Sequence, residues 1–288
     1  MPNLIDLRRR IKSVRNTQQI TRAMKMVAAA RMRRTQEGIL SARPYAVKML
    51  EVLNSLAARV DRSAHPLLEV RGDDNVEVLL ITADRGLCGS FNANLIRTAL
   101  DFLAERSRPD IGMHLVGRKG RDFFRRQHFK IYSEYTQLFP NVAYEHAARI
   151  GREIIAGYKA AKLDAIYVIY NQFISTLSQK VVCEKLLPIG EIEFPDEEKM
   201  HTAREYIFEP TSRSIMNELL PRHVNIQIYR ALLESAASEN AARMTAMENA
   251  TNNAAELIDH LTLVMNRIRQ DKITREIIEV VSGAQALD

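Results

Sequence analysis

Tryptophan is absent from this chain, aromatic residues amount to 6%, and cysteine occurs only twice. So few aromatics suit thin helical packing better than a thick globular core. Cys88 and Cys183 stand far apart with no CxxC spacing. They fit neither a disulfide framework nor a zinc site, and a reducing compartment follows. No apolar run approaches the roughly 18 to 20 residues that a membrane span requires. Acids are scarcest at the start. Residues 1–50 hold only Asp6 and Glu37 against twelve lysines and arginines, so that segment carries +10 and the rest of a +6 chain carries −4. One basic helix dominates the field and predicts an acidic partner surface.

Helix breakers are missing from both ends. From Leu4 to Ala57 the only proline is Pro44, and from Ser212 to Ala286 the only one is Pro221. As helices these arms would span roughly 80 and roughly 110 Å, far beyond ordinary globular helices. In the first arm Leu4, Leu7, Ile11 and Val14 follow heptad spacing. The apolar pattern then shifts to Ile20, Met24 and Val27, which predicts a slip of the seam. In the last arm the four-three rhythm persists from Leu233 through Ala237, Met244, Met247, Thr251, Ala254, Ile258 and Leu261 to Met265 and Ile268. Pro221 predicts a break between a short opening piece, capped near Thr211 or Ser212 after Pro210, and the long helix. The arms bracket the chain, so antiparallel pairing into a coiled coil is the simplest arrangement. Past Lys272 the seam gives way to Ile273, Ile277, Ile278, Val280, Val281, Ala284, Ala286 and Leu287, an apolar end that calls for a socket in another protein.

The middle alternates strand and helix patterns: Val76–Thr82, a helix from Ala93, Ile111–Gly117, a helix through Phe123, Lys130–Tyr135, a helix from Val142, then Ala165–Tyr170. That order predicts a Rossmann-like, doubly wound parallel sheet. Gln179–Leu187 and Glu205–Phe208 are expected as edge strands. The fold class is therefore α/β, in three parts: an N-terminal shaft helix over 1–60, a central α/β domain over 70–210 and a C-terminal shaft helix over 211–288.

Signs of catalysis are missing. The loop DRGLCGSFN (Asp84–Asn92) lies between a strand and a helix, where phosphates often bind. It is neither GxGxxG nor GxxxxGK[ST], and a tight turn requiring Gly86 and Gly89 is the better account. The seven histidines show no ligand spacing, and there is no GxSxG elbow. No catalytic residue, no metal and no cofactor is expected.

Four stretches carry a resemblance: LRRRIKSVRNTQQITRAMKMVAAARMRR (7–34), ITADRGLCGSFNANL (81–95), SAASENAARMTAMENATNNAAELI (235–258) and NRIRQDKITREIIEVVSGAQAL (266–287). Together they resemble the gamma subunit of rotary F-type ATP synthases, and they cover both arms and the first strand. The resemblance implies a non-catalytic central-stalk rotor, which transmits torque between a membrane ring of c subunits and a catalytic ring of alpha and beta subunits. Proton flow would turn the foot and drive ATP synthesis on beta, with regulation of ATPase activity, and the epsilon subunit would bind the foot. It also implies rotor–stator contacts at Met24, Lys25, Arg269, Gln270, Thr274 and Glu276, with Met24 and Lys25 facing an acidic loop of beta. Ile277, Ile278, Val280 and Val281 would form the tip turning in the bearing.

The regulatory cysteine insert of chloroplast forms is absent. With no presequence ahead of the opening helix, the expected location is the cytoplasmic face of a bacterial cell membrane, as a peripheral protein without a span. The basic helix would also attract nucleic-acid phosphates. However, it lacks aromatic interleaving and a reading motif, so a coiled-coil nucleic-acid binder or scaffold is the alternative, and no nucleic-acid partner is expected. A nucleotide-dependent enzyme on the central sheet is the other rival.

Overall fold

The computed structural model describes residues 3–57, 65–106, 111–139, 141–190 and 211–285. Its elements are α1 (Leu4–Ala57), β1 (Val76–Ile81), α2 (Phe91–Glu105), β2 (Gly112–Val116), α3 (Arg118–Arg126), β3 (Ile131–Tyr135), α4 (Tyr144–Lys159), β4 (Ala165–Phe173), β5 (Gln179–Leu187) and α5 (Ser212–Gln285). The chain divides into two compact units, one of residues 1–29 with 243–288 and one of residues 30–242. Each long helix contributes to both.

The larger unit is built on a five-stranded sheet of order β3-β2-β1-β4-β5. β1 pairs in parallel with β2 and β4, and β2 with β3. The parallel expectation holds for these four strands. β5 instead runs antiparallel to β4, returning through a short turn closed by the Ser175 N–H on the Ser178 carbonyl. Six residues or fewer between two strands leave no room for a crossover helix, so a hairpin is the only geometry available. The other expected edge strand, Glu205–Phe208, lies outside the described residues.

Alternation along β1 sorts the core. Leu79 and Ile81 point to one face, where α4, the end of α1 and the start of α5 bring Ile150, Ile154, Met49, Leu53, Leu220 and Val224. Val78 and Leu80 point to the other, under α2 and α3, with Leu95, Ala99 and Phe124. The three inner strands, β1, β2 and β4, are buried on both faces, as parallel strands covered by helices are.

α5 does not break at Pro221. The helix is continuous from Ser212, its first turn capped by the Thr211 hydroxyl accepting from the Ser214 N–H at 3.3 Å. Met216, Leu220, Val224 and Ile228 are buried at one-turn intervals on either side of the proline, and this packing outweighs the lost hydrogen bond. Farther along, small residues let α5 approach β4. The Asn171 N–H donates to Ser235 at 3.2 Å and the Ser238 hydroxyl donates to the Asn171 carbonyl at 3.1 Å.

Candidate functional site

In the smaller unit α1 and α5 run antiparallel. The Thr21 and Thr251 hydroxyls are 2.8 Å apart, and the Lys25 ammonium lies 2.7 Å from a Glu248 carboxylate oxygen. Four residues forward on α1 thus match three back on α5. Along α1 the inward positions are Leu4, Leu7, Ile11, Val14, Gln18, Thr21, Lys25 and Ala28, with steps of three and four throughout. This is an unbroken heptad seam. The expected slip onto Ile20, Met24 and Val27 does not occur. Ile20 is 59% exposed and Val27 52%, both on the outward side, while Met24 is half-buried at the seam's edge. Gln18, Thr21 and Lys25 keep seam positions despite their polarity. Opposite helix α5 supplies partners for two of them, so burial there does not strand a polar group.

On α5 the expected rhythm holds. Met247, Ala254 and Leu261 are buried, and Met244, Thr251, Ile258, Met265 and Ile268 are half-buried between them. Leu7, Ile11 and Leu261 form a small apolar cluster with Val14, Ile258, Met265 and Ile268 packed around it. Beside the polar stretch lies a groove of about 610 Å³, which Arg15, Arg22 and Lys25 make cationic and Glu248 partly offsets.

Beyond Ile268 the picture changes. Every residue from Arg269 to Ser282 is exposed, because α1 begins at Leu4 and has nothing left to lay against this length. Arg269, Gln270, Thr274 and Glu276 all project from it, and the Glu276 carboxylate is 3.5 Å from the Lys272 ammonium one turn back. Spacing places Gln270, Thr274, Ile277 and Val281 on one helical face, polar at its base and apolar toward the end. Ile277, Ile278, Val280 and Val281 are exposed apolar side chains, Val280 at 73%. Residues 286–288, including Ala286 and Leu287, lie outside the described residues, as does the side chain of Ala284.

In the larger unit the loop after β1 is pinned at its two edges. Asn92 accepts from the Ala83 N–H at 2.9 Å, the Cys88 carbonyl accepts from Phe91, and Ser90 accepts from Asn94. Asp84 spans two neighbouring loops, accepting from the Arg118 N–H at 3.2 Å and the Gln137 N–H at 2.9 Å. The backbone donors at the two edges of this loop, those of Ala83, Phe91 and Asn94, are thus satisfied within the chain. Gly89 takes a left-handed φ of 55°, as a tight turn there requires. Gly86 is not needed in the same way. Leu87 adopts the second left-handed conformation, at φ 62°. Among the described residues no cluster of His, Cys, Asp and Glu could hold a metal, and no helix is long and apolar enough to cross a membrane.

Comparison with known proteins is consistent along the whole chain. The ATP synthase family model matches residues 3–287. The ATP synthase gamma chain of Pelotomaculum thermopropionicum is 50% identical over 288 residues, covering 100% of both chains. That of Solibacter usitatus is 50% identical over 292 residues, again covering 100% of each. Among solved structures, a chain of the central stalk and c-ring of the Tetrahymena thermophila mitochondrial ATP synthase is 30% identical. It aligns at TM-score 0.61, covering 80% of this chain and 99% of that one. A chain of the Euglena gracilis mitochondrial enzyme, at 20% identity and TM-score 0.68, shares the fold over 99% of this chain and 94% of its own.

Proposed function

This chain belongs to the ATP synthase gamma-chain family and is a non-catalytic central-stalk subunit, and from that premise we propose how its surfaces do the work of a rotor. The observation that carries the reading is the length of α5 that α1 leaves uncovered. A helix exposed on all sides and ending in isoleucine and valine is a poor free end and a good insert for an apolar collar. We assign Ile277, Ile278, Val280 and Val281 to the bearing at the top of the alpha/beta ring. Arg269, Gln270, Thr274 and Glu276, at the polar base of that helix, are the contacts to the catalytic subunits. Met24 joins them on α1, where outward Ile20 and Val27 extend the apolar surface beside the cationic groove. Lys25, expected to face an acidic loop of beta, already has a carboxylate partner in Glu248.

The α/β unit takes the role of the foot, bound by epsilon and by the ring of c subunits. Proton passage through that ring turns the foot, each charge contributing about 2.3 kcal/mol per 100 mV of potential. Torque then reaches the beta subunits, where the ATP chemistry takes place. The location is peripheral, on the cytoplasmic side of a bacterial membrane. The test is affinity purification of the tagged chain from its native membranes. Three alpha and three beta subunits per copy, epsilon and the c ring in the same complex, and proton pumping lost when this chain is withheld are expected. Recovery of the chain alone, or with nucleic acid and no ATPase, would overturn the reading.

A further inference from the structure

The Lys25–Glu248 ion pair and the Thr21–Thr251 hydroxyl pair stand side by side in a seam that, beyond the neighbouring Gln18, is apolar on the side of Leu7, Ile11 and Leu261. Thr21 is 8% exposed, so its hydroxyl depends on protein partners. Thr251 also lies 2.7 Å from the Met247 carbonyl and Thr21 lies 3.0 Å from that of Gln18. Each hydroxyl carries a single proton. The shortest consistent arrangement is a relay: Thr21 donates to Thr251, and Thr251 donates to the Met247 carbonyl. One turn away the ammonium of Lys25 reaches across to Glu248, with about half of each side chain covered. A slip of one heptad would set Thr21 against Ile258 or Met244 and separate Lys25 from Glu248. An apolar seam alone would tolerate that move far better, because burial has no preferred direction. Polar residues at seam positions are what specify register in a coiled coil.

We propose that Lys25, Glu248, Thr21 and Thr251 form a polar clasp that fixes how α1 and α5 face each other. The charge of Lys25 is read inside the chain by Glu248, not by an acidic group on the catalytic ring. Its consequence for energy coupling rests on the central-stalk reading; the clasp itself rests on the geometry alone.

The test uses four full-length chains: wild type, K25E, E248K and the charge-swapped K25E/E248K. Amide hydrogen exchange is followed across residues 14–28 and 244–258. Each single variant places like charges face to face and speeds exchange by about two- to tenfold, while the swap returns to within about twofold of wild type. A swap that exchanges as fast as either single variant would overturn the clasp. The same four chains are then assembled into the complex, and protons pumped per ATP hydrolysed are measured. Recovery of pumping in the swap is expected. If exchange recovers but pumping stays as low as in K25E, the charge of Lys25 is read by the ring and that half of the proposal falls. If pumping is indifferent to omitting this chain entirely, the central-stalk reading fails while the exchange result stands.

Discussion

Two apolar residues of the shaft have opposite environments, and truncating each should separate cohesion from contact. Leu261 is 6% exposed and packs on Leu7 and Ile11. Its replacement by alanine removes three buried carbons and leaves a gap that one layer of neighbours only partly fills. Buried leucines of this kind lose 2 to 5 kcal/mol on truncation. A two-helix seam relaxes more easily than a globular core, so about 2 to 3 kcal/mol is expected here. Ile20 is 59% exposed, and Ile20→Ala forfeits little burial while gaining a few tenths of a kcal/mol in helix propensity. The net change should be within about 0.5 kcal/mol. Urea unfolding of the two full-length variants, followed by loss of the helical circular dichroism signal, measures the difference. In the assembled complex the order inverts for Ile20, which should reduce coupled ATP synthesis without lowering stability. If Ile20→Ala costs as much as Leu261→Ala in the isolated chain, the seam assignment is wrong.

Three further outcomes follow from other parts of the molecule. His223 is 8% exposed, and burial pushes its imidazole down to about 4. The unfolded chain then binds the extra proton below about pH 6.5. Its contribution is therefore intact above that pH and is lost as pH falls toward 4, to a total of about 3 kcal/mol. His223→Gln should flatten that limb of a stability–pH curve relative to wild type, and identical slopes would refute it. Gly117 has φ of 89°, and a Cβ there would lie 2.1 Å from the Thr82 carbonyl oxygen. Gly117→Ala should destabilise the larger unit by on the order of 3 kcal/mol or more, read as a lowered urea midpoint. Arg269 and Gln270 are both exposed, so replacing the two together by alanine should leave melting unchanged while ATP turnover of the complex falls; unaltered turnover would remove both residues from the contact set.

Long-period features were the most legible. Both arms end within a residue or two of the helices α1 and α5, since proline spacing and heptad rhythm accumulate over many turns. Strands followed from short β-branched runs between turn residues, and the sheet's parallel part from their alternation with helices. The seam of α1 is not legible at its middle, because apolarity there does not mark burial. Ile20 and Val27 are apolar yet outward, and Thr21 and Lys25 are polar yet inward. That inversion becomes legible only once Thr251 and Glu248 are known to face them. Those positions lie more than two hundred residues away, and no local pattern encodes the antiparallel register. The continuity of the helix through Pro221 is hidden for a similar reason, since that helix is held by Leu220 and Val224 against distant partners. For the candidate site, the exposed tip was readable from composition. The proposal of contacts at Arg269, Gln270, Thr274 and Glu276 rests on family resemblance, because a solvated charge and a docking charge look alike in sequence.

The order of features along α5 has a mechanical sense. Inward from its uncovered end, α5 first meets α1 at the apolar cluster of Leu7, Ile11 and Leu261, and only then at the clasp. Apolar burial resists separation but hardly resists sliding or rotation, because its energy depends on area and not on angle. Hydrogen bonds and ion pairs behave the other way. They add little net cohesion, yet they are lost within an ångström or so of displacement. A load applied to the lone helix must first be prevented from peeling the pair apart, which is what the cluster does. It must then be passed on without slip, which needs directional bonds. Replacing the hydroxyl half of the clasp by valines at Thr21 and Thr251 should therefore leave the pair as cohesive as before, or more so, while loosening its register. A shaft improved in stability and impaired in transmission would be the signature of that division of labour.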